Sequence, residues 1–113
     1  MTIKETSKQL SGVEMYRMTK NAGIRKMKEA TGTALHVGAW VLYEDTNTEG
    51  NTREILSILD SDSDTVFATN SPTFIKAFRE ILEILTSCGE QLEYLQVIGG
   101  TSKAGRSFVT AAL

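Results

Sequence analysis

The chain has few of the side chains from which reactive centres are usually built. It holds one cysteine, Cys88, and one histidine, His36, among 113 residues. A lone cysteine cannot form an internal disulfide, which agrees with a reducing compartment. One cysteine and one histidine also cannot supply a structural zinc site of the usual kind. Because catalysis needs several converging groups of matched pKa, we expect no enzyme activity and no cofactor.

The motifs that approach an ion or phosphate site are incomplete. Asp60, Asp62 and Asp64 have the spacing that begins a calcium-binding loop. However, Thr65 stands where that loop needs glycine, and Ser71 stands where it needs glutamate. No glycine-rich loop precedes a helix at the spacing of a phosphate-binding motif. We therefore expect the aspartate run to be a solvated turn that holds no metal.

The sequence also has no long apolar run and no signal-peptide pattern. No segment is long and apolar enough to span a bilayer, and residues 1–10 are mostly polar and charged. We expect a cytoplasmic protein that does not bind membranes. A chain of 113 residues can close one core but not two. We expect residues 1–10 to be a flexible arm and residues 11–113 to form a single domain.

Local signals predict a short helix near the start of the domain. Ser11 and Glu14 have the spacing of a capping box, in which each side chain bonds a free backbone amide of the first turn. The helix is expected to end near Lys20. Residues 24–31, a stretch with a net positive charge, fit either a loop or a further helical turn.

A second helix has the strongest local signals in the chain. Ser71 is placed to cap it, and Pro72 stands at its first position, where a missing N–H costs nothing. Gly89 is a suitable end, and Cys88 is expected to pack beside the apolar stripe. That stripe consists of Phe74, Phe78, Ile81, Leu82 and Leu85.

Apolar runs bounded by turn residues predict five strands. They are Thr33–Asp45, Thr52–Asp60, Thr65–Thr69, Leu92–Ile98 and Ser107–Ala112. With the second helix between the third and fourth strands, the order is β-β-β-α-β-β. We expect a mainly β chain with one or two helices, folded as the five-stranded Greek-key barrel called the OB-fold. Other small barrels and open α+β sheets share this order.

Alternation along the strands predicts which aromatic rings are exposed. One face of the first strand has four apolar residues: Leu35, Val37, Ala39 and Val41. Trp40 is therefore expected to point away from the core. In the last two strands, Tyr94 and Phe108 alternate with apolar residues, so their rings are expected to share one exposed surface.

Positive charge is concentrated in the first third of the chain. Residues 1–36 hold seven basic and three acidic side chains, whereas residues 37–113 hold five basic and eleven acidic ones. This asymmetry predicts a basic patch on an acidic body, which suits a polyanionic partner. The stretch Gly99–Arg106 adds three glycines, expected to permit a tight turn, and two cations, Lys103 and Arg106.

Rings beside cations favour binding of single-stranded nucleic acid, because bases stack on the rings and phosphates meet the cations. The candidate stacking residues are Trp40, Tyr94 and Phe108, with Phe67 as a further ring. The candidate cations are Arg25, Lys26, Lys28, Arg53, Lys103 and Arg106.

Four stretches together resemble a known family. They are Ala39–Asn47, Glu54–Leu59, Ala68–Phe74 and Gly100–Arg106. The family comprises the small single-stranded DNA-binding proteins encoded by phages and mobile elements of Gram-positive bacteria, and the similarity extends over most of residues 13–113. It implies an OB-fold, sequence-tolerant binding of unpaired DNA, and a role in replication or recombination of the element.

One feature departs from the cellular proteins of this function, which end in a flexible acidic tail that recruits partner enzymes. This chain ends in the apolar residues Thr110–Leu113, so recruitment through such a tail is not expected. The end of the last strand is instead free to pair with another subunit at a sheet edge.

The leading hypothesis is a non-catalytic protein that coats single-stranded DNA in the bacterial cytosol. We expect a homo-oligomer, either a dimer or a cooperative array, which meets replication proteins. The alternative is a phage-encoded interaction module, an inhibitor or a virion component, that binds a host or viral protein. The net charge of −2 and the apolar C-terminus favour this alternative. An enzyme acting on nucleic acid is a third hypothesis, for which the acid–base groups are missing.

Overall fold

Seven strands, two α-helices and one 3-10 helix make up the chain in a computed structural model that describes residues 1–113. In chain order they are β1 (Thr2–Thr6), α1 (Gly12–Thr19), β2 (Arg25–Lys26), the 3-10 helix (Met27–Ala30), β3 (Ala34–Thr46), β4 (Thr52–Asp60), β5 (Thr65–Thr69), α2 (Pro72–Ser87), β6 (Tyr94–Thr101) and β7 (Ser107–Ala112).

All seven strands belong to one curled, mixed sheet. Its order is β2-β5-β4-β3-β6-β7, and β1 pairs with the second half of β3. Every pairing is antiparallel except β2 with β5, which is parallel. The prediction of a mainly β chain with helices is confirmed, and β3, β4, β5, α2, β6 and β7 follow one another as expected. The strand number differs, because β1 and β2 add to the five predicted strands.

The two helices begin where the sequence predicts. Ser11 and Glu14 form the capping box of α1, each side chain accepting a hydrogen bond from the other's backbone N–H at 3.1 Å. In α2, the Ser71 hydroxyl accepts from the backbone N–H of Phe74 at 3.3 Å. α2 packs inside the curl of the sheet, where its apolar stripe enters the main core. Cys88 is exposed at the end of α2, so the prediction that it packs beside the stripe is wrong.

A β-bulge at Gly38 changes which side chains of β3 face the core. The pairing with β4 shifts register between Val37 and Ala39, and the extra residue moves all later side chains to the opposite face. The main core consequently holds Leu35, Trp40 and Leu42, and a small apolar cluster beneath α1 holds Val41 and Tyr43. Trp40 is only 9% exposed, so the prediction that it points away from the core is wrong.

Residues expected to form a flexible arm instead contain the edge strand β1. Thr2–Thr6 pairs with Val41–Glu44 of β3, although four of its five side chains are exposed. Lys4 forms ion pairs with Glu54 and, at 3.5 Å, with Glu44. β1 carries a single apolar side chain of any size, so its sequence lacks the alternation that predicts a strand.

The aspartate run forms a more ordered turn than the sequence predicts. Asp60 is buried and accepts hydrogen bonds from the backbone N–H groups of His36 (3.0 Å) and Asp62 (3.3 Å) and from the Ser63 hydroxyl (2.6 Å). Burial acts to raise the pKa of the Asp60 carboxyl, but these hydrogen bonds outweigh it and hold the pKa below its ordinary value. Asp60 therefore fastens the β4–β5 turn to β3.

Candidate nucleic-acid interface

A groove separates β5 from β7. It consists of two adjoining cavities of about 370 and 450 Å³, which share Lys28 and Val109. The first cavity also contains Phe108, Thr31 and Ser71. The second reaches Lys26, Ile55 and Ala68–Asn70. We call the two cavities together the β5–β7 groove.

The groove exists because the curled sheet does not close. β5 and β7 do not pair with each other, and β7 has β6 as its only strand neighbour. β2 and the 3-10 helix lie between the two ends of the sheet, where β2 pairs with β5 and the 3-10 helix contacts both β5 and β6. The basic segment 25–28 is thereby placed at the wall of the groove.

No acidic side chain lines either cavity of the groove. Lys26 and Lys28 are exposed there, and neither forms an ion pair. Arg25 is less available, because its guanidinium bonds Glu29 at 3.2 Å. Glu29 also accepts a hydrogen bond from the backbone N–H of Lys26 at 3.0 Å. Two of the three predicted cations of this segment are therefore free to meet a phosphate.

Two glycines of β6 each permit a close approach, one on each face of the strand. A Cβ on Gly100 would lie 2.6 Å from Cζ of Phe108, so the Phe108 ring rests directly on the strand. A Cβ on Gly99 would lie 2.8 Å from the methyl group of Thr31, the residue that directly follows the 3-10 helix. Both glycines lie in β6 and not in the turn, so the prediction that they form the turn is wrong. Gly105, with φ of 79°, supplies the turn.

The hairpin between β6 and β7 places two further cations next to the groove. The backbone N–H of Ser102 donates to Arg106 O at 2.8 Å, and Gly105 N–H donates to Ser102 O at 2.9 Å. Lys103 and Arg106 are both exposed in this turn, and neither is in an ion pair. Phe108, which is 42% exposed, follows directly in β7.

Arg53 lines neither cavity of the groove. It is exposed at the beginning of β4, two residues before Ile55, which lines the groove. Alternate residues of a strand share a face, so Arg53 lies on the strand face of Ile55, directly opposite Asp45 of β3. Phe67 does not contribute, because it is partly buried against the main core.

Tyr94 lies outside the groove. Its ring is 47% exposed and stacks on His36, with centroids 4.6 Å apart and an interplanar angle of 17°. The strand register places Tyr94 on the same sheet face as Phe108, as predicted. The two are separated by six residues of β6, about 20 Å. The imidazole on which Tyr94 stacks is bonded to Asp62 at 3.0 Å, so the neighbourhood of this ring includes an acid.

Comparison of the chain with models of protein families, with curated proteins and with solved structures finds no match. Neither helix has the length and apolarity that crossing a membrane requires.

Proposed function

We propose that the protein binds single-stranded DNA, with little preference for sequence, through the β5–β7 groove and the β6–β7 hairpin. The observation that carries this proposal is that Lys28 and Phe108 line one groove that has no acidic side chain. A ring for a base and a cation for the neighbouring phosphate are the two elements that sequence-tolerant binding requires.

The strand arrangement supports the proposal through its likeness to the OB-fold. The order β5-β4-β3-β6-β7, with α2 between β5 and β6, corresponds to the helix-bridged five-stranded barrel of that fold. OB-folds bind oligonucleotides with their second and third strands and with the loops between strands one and two and strands four and five. The corresponding loops here are residues 47–51 and the hairpin that carries Lys103 and Arg106.

In such a site, stacking of bases and neutralisation of phosphates both contribute to affinity. A base stacked on an aromatic ring contributes about 1–3 kcal/mol by alanine substitution. Each phosphate neutralised by a cation releases condensed counterions, which makes binding sensitive to salt. Lys28 lines one cavity with Phe108, Lys26 lines the adjoining cavity, and Lys103 and Arg106 lie in the hairpin that leads into Phe108. A DNA segment that lies along the groove and crosses the hairpin would meet all four cations.

The resemblance of four sequence stretches to phage and mobile-element proteins suggests the biological setting of the proposal. A single groove covers few nucleotides, so coating of a replication or recombination intermediate calls for several copies on one strand. We include the homo-oligomer, a dimer or a cooperative array, in the proposal for this reason.

The direct test is titration of a fluorescein-labelled thymidine oligomer, longer than the ~4–16 nucleotides that one OB-fold covers, followed by anisotropy. We expect saturable binding that weakens as salt increases, with a log–log slope of about −0.7 per phosphate contacted. A duplex of equal length is the control and is expected to bind more weakly. Absence of saturable binding at low salt, or binding that salt does not change, contradicts the proposal.

A further inference from the structure

A further cavity, separate from the two that form the β5–β7 groove, lies at α2 and shares no lining residue with them. It has a volume of about 450 Å³ and is lined by six apolar side chains. These are Val37, Ala39, Trp40, Leu82, Leu85 and Leu92. We call it the α2–β3 pocket. Its size is within the range of cavities that bind small molecules or single side chains of a partner.

The pocket opens where two strands share one edge of β3. Val37 donates its backbone N–H to Glu93 O at 2.8 Å, next to the beginning of β6. Trp40 donates its backbone N–H to the Ser7 hydroxyl at 2.9 Å, just after β1. Between these two contacts, the bulge residue Gly38 and its neighbour Ala39 have no strand partner on this edge. The second half of α2 supplies the floor.

The rim of the pocket is acidic. Glu90 lines it, Glu93 lines the cavity that adjoins it at Leu92, and Glu83 lines the cavity on the other side of Trp40. None of these three carboxylates forms an ion pair, so their charges are available to a partner.

Two cations, Arg79 and Lys8, lie near these carboxylates, and Arg79 already forms ion pairs. Arg79 bonds Glu5 at 3.6 Å and Glu54 at 3.2 Å. Lys8 is the single unpaired cation that lines the pocket. An apolar floor below a negative rim does not suit nucleic acid, whose phosphates the rim repels.

We propose that the α2–β3 pocket docks a segment of another protein in which a bulky apolar side chain is flanked by lysine or arginine. The apolar side chain enters between Leu82, Leu85 and Leu92, where burial of apolar surface provides affinity. The flanking cations meet Glu90 and Glu93, which steers the encounter and sets the orientation. The charge of the rim selects this occupant over an acidic segment, and the inference stands independently of the proposed function.

Trp40 provides a built-in probe, because it lines the pocket and is the one tryptophan of the chain. The test uses an acetylated and amidated peptide, Arg-Leu-Leu-Arg, which contains no fluorophore. We expect it to change Trp40 emission saturably with a dissociation constant of about 1 mM or below. The peptide Glu-Leu-Leu-Glu is expected to bind at least about tenfold more weakly, because the rim repels it.

Charge reversal at the rim separates specific docking from general attraction. The double variant Glu90→Lys, Glu93→Lys is expected to lose at least about tenfold in affinity for the basic peptide. The matched control is Glu49→Lys, Glu80→Lys, which changes the net charge equally at exposed positions outside the pocket; it is expected to bind as the parent does.

Three results would overturn the inference. One is the absence of a saturable response to the basic peptide, and another is an equal response to both peptides. The third is a dimer, measured by sedimentation, whose formation alone changes Trp40 emission and blocks the peptide, because the occupant would then be a second copy of the chain. DNA titration of the same samples shows separately whether the proposed function holds.

Discussion

The indole of Trp40 meets the ring of Phe78 edge to face, with centroids 5.2 Å apart and ring planes at 78°. The contact joins β3 to α2 across the main core, so Trp40 holds the sheet to its helix. An aromatic pair of this geometry contributes about 0.5–1.5 kcal/mol beyond the apolar area it buries.

Substitution of Trp40 is expected to reduce stability and leave DNA binding intact. Trp40→Ala removes the whole of a buried indole and is expected to lower the free energy of unfolding by about 3–5 kcal/mol. Urea denaturation followed by circular dichroism measures this loss. Trp40→Phe keeps an aromatic ring and serves as the control: it is expected to fold and to bind labelled DNA like the parent. A large loss of DNA affinity in Trp40→Phe would indicate that Trp40 contacts DNA.

Phe108 and Lys28 are expected to affect binding in different ways. Phe108→Ala removes a stacking ring, which is expected to cost about 1–3 kcal/mol of binding free energy and to leave the salt slope unchanged. Lys28→Ala is expected to make the log–log salt slope shallower by about 0.7, the value for one phosphate contact.

Anisotropy titrations at several salt concentrations measure both effects. Lys76→Ala is the matched control, because Lys76 is an exposed, unpaired cation on α2 that lies outside the groove. Equal salt slopes for the parent, Lys28→Ala and Lys76→Ala would show that Lys28 does not contact a phosphate.

Gly100 is expected to matter for DNA binding although it has no side chain. A Cβ at this position would fall 2.6 Å from Cζ of Phe108, so Gly100→Ala must push the ring off the strand. We expect a loss of DNA affinity that approaches that of Phe108→Ala, with an unchanged salt slope. Gly12→Ala is the control, because nothing lies within 4 Å of its added Cβ. Full affinity in Gly100→Ala would show that the position of the ring is unimportant.

Asp60 is expected to make stability depend on pH. Its pKa is lowered in the folded protein, so the stability that it contributes is present above its ordinary pKa of about 4 and is lost as pH falls through the folded value. Asp60→Asn is expected to lower the free energy of unfolding by about 1–3 kcal/mol at pH 7, because a carboxylate with three donors is lost. Urea denaturation at pH 7 and at pH 3 should show the gap between variant and parent shrink at the lower pH. A gap that does not depend on pH would contradict the assigned hydrogen bonds.

Most of the secondary structure is predictable from the sequence because its signals are local. Each helix begins at a signal that spans only a few residues. This signal is the capping box at Ser11 for α1 and the Ser71–Pro72 pair for α2. β4, β5 and β7 have the predicted bounds, since turn residues lie on both sides of β4 and β5 and before β7.

The features that shape the candidate site depend on distant contacts and are less predictable. The bulge at Gly38 is visible only in the pairing of β3 with β4, yet it moves Trp40 from the surface to the core. The Gly99–Gly100 pair resembles a turn in sequence, but Thr31 and Phe108 approach it from elsewhere in the chain. The closeness of Lys28 to Phe108 arises from the open end of the sheet, which no local pattern encodes.

The strand β1 has a further consequence for the handling of the protein. It covers the half of the β3 edge that β6 leaves free, and its exposed residues include the charged Lys4 and Glu5. Charged side chains on an edge strand such as β1 discourage two sheets from joining edge to edge into insoluble fibres. Deletion of residues 1–7 would uncover the Val41–Glu44 backbone, and we expect the shortened chain to aggregate at concentrations where the full chain stays dispersed, as light scattering can measure.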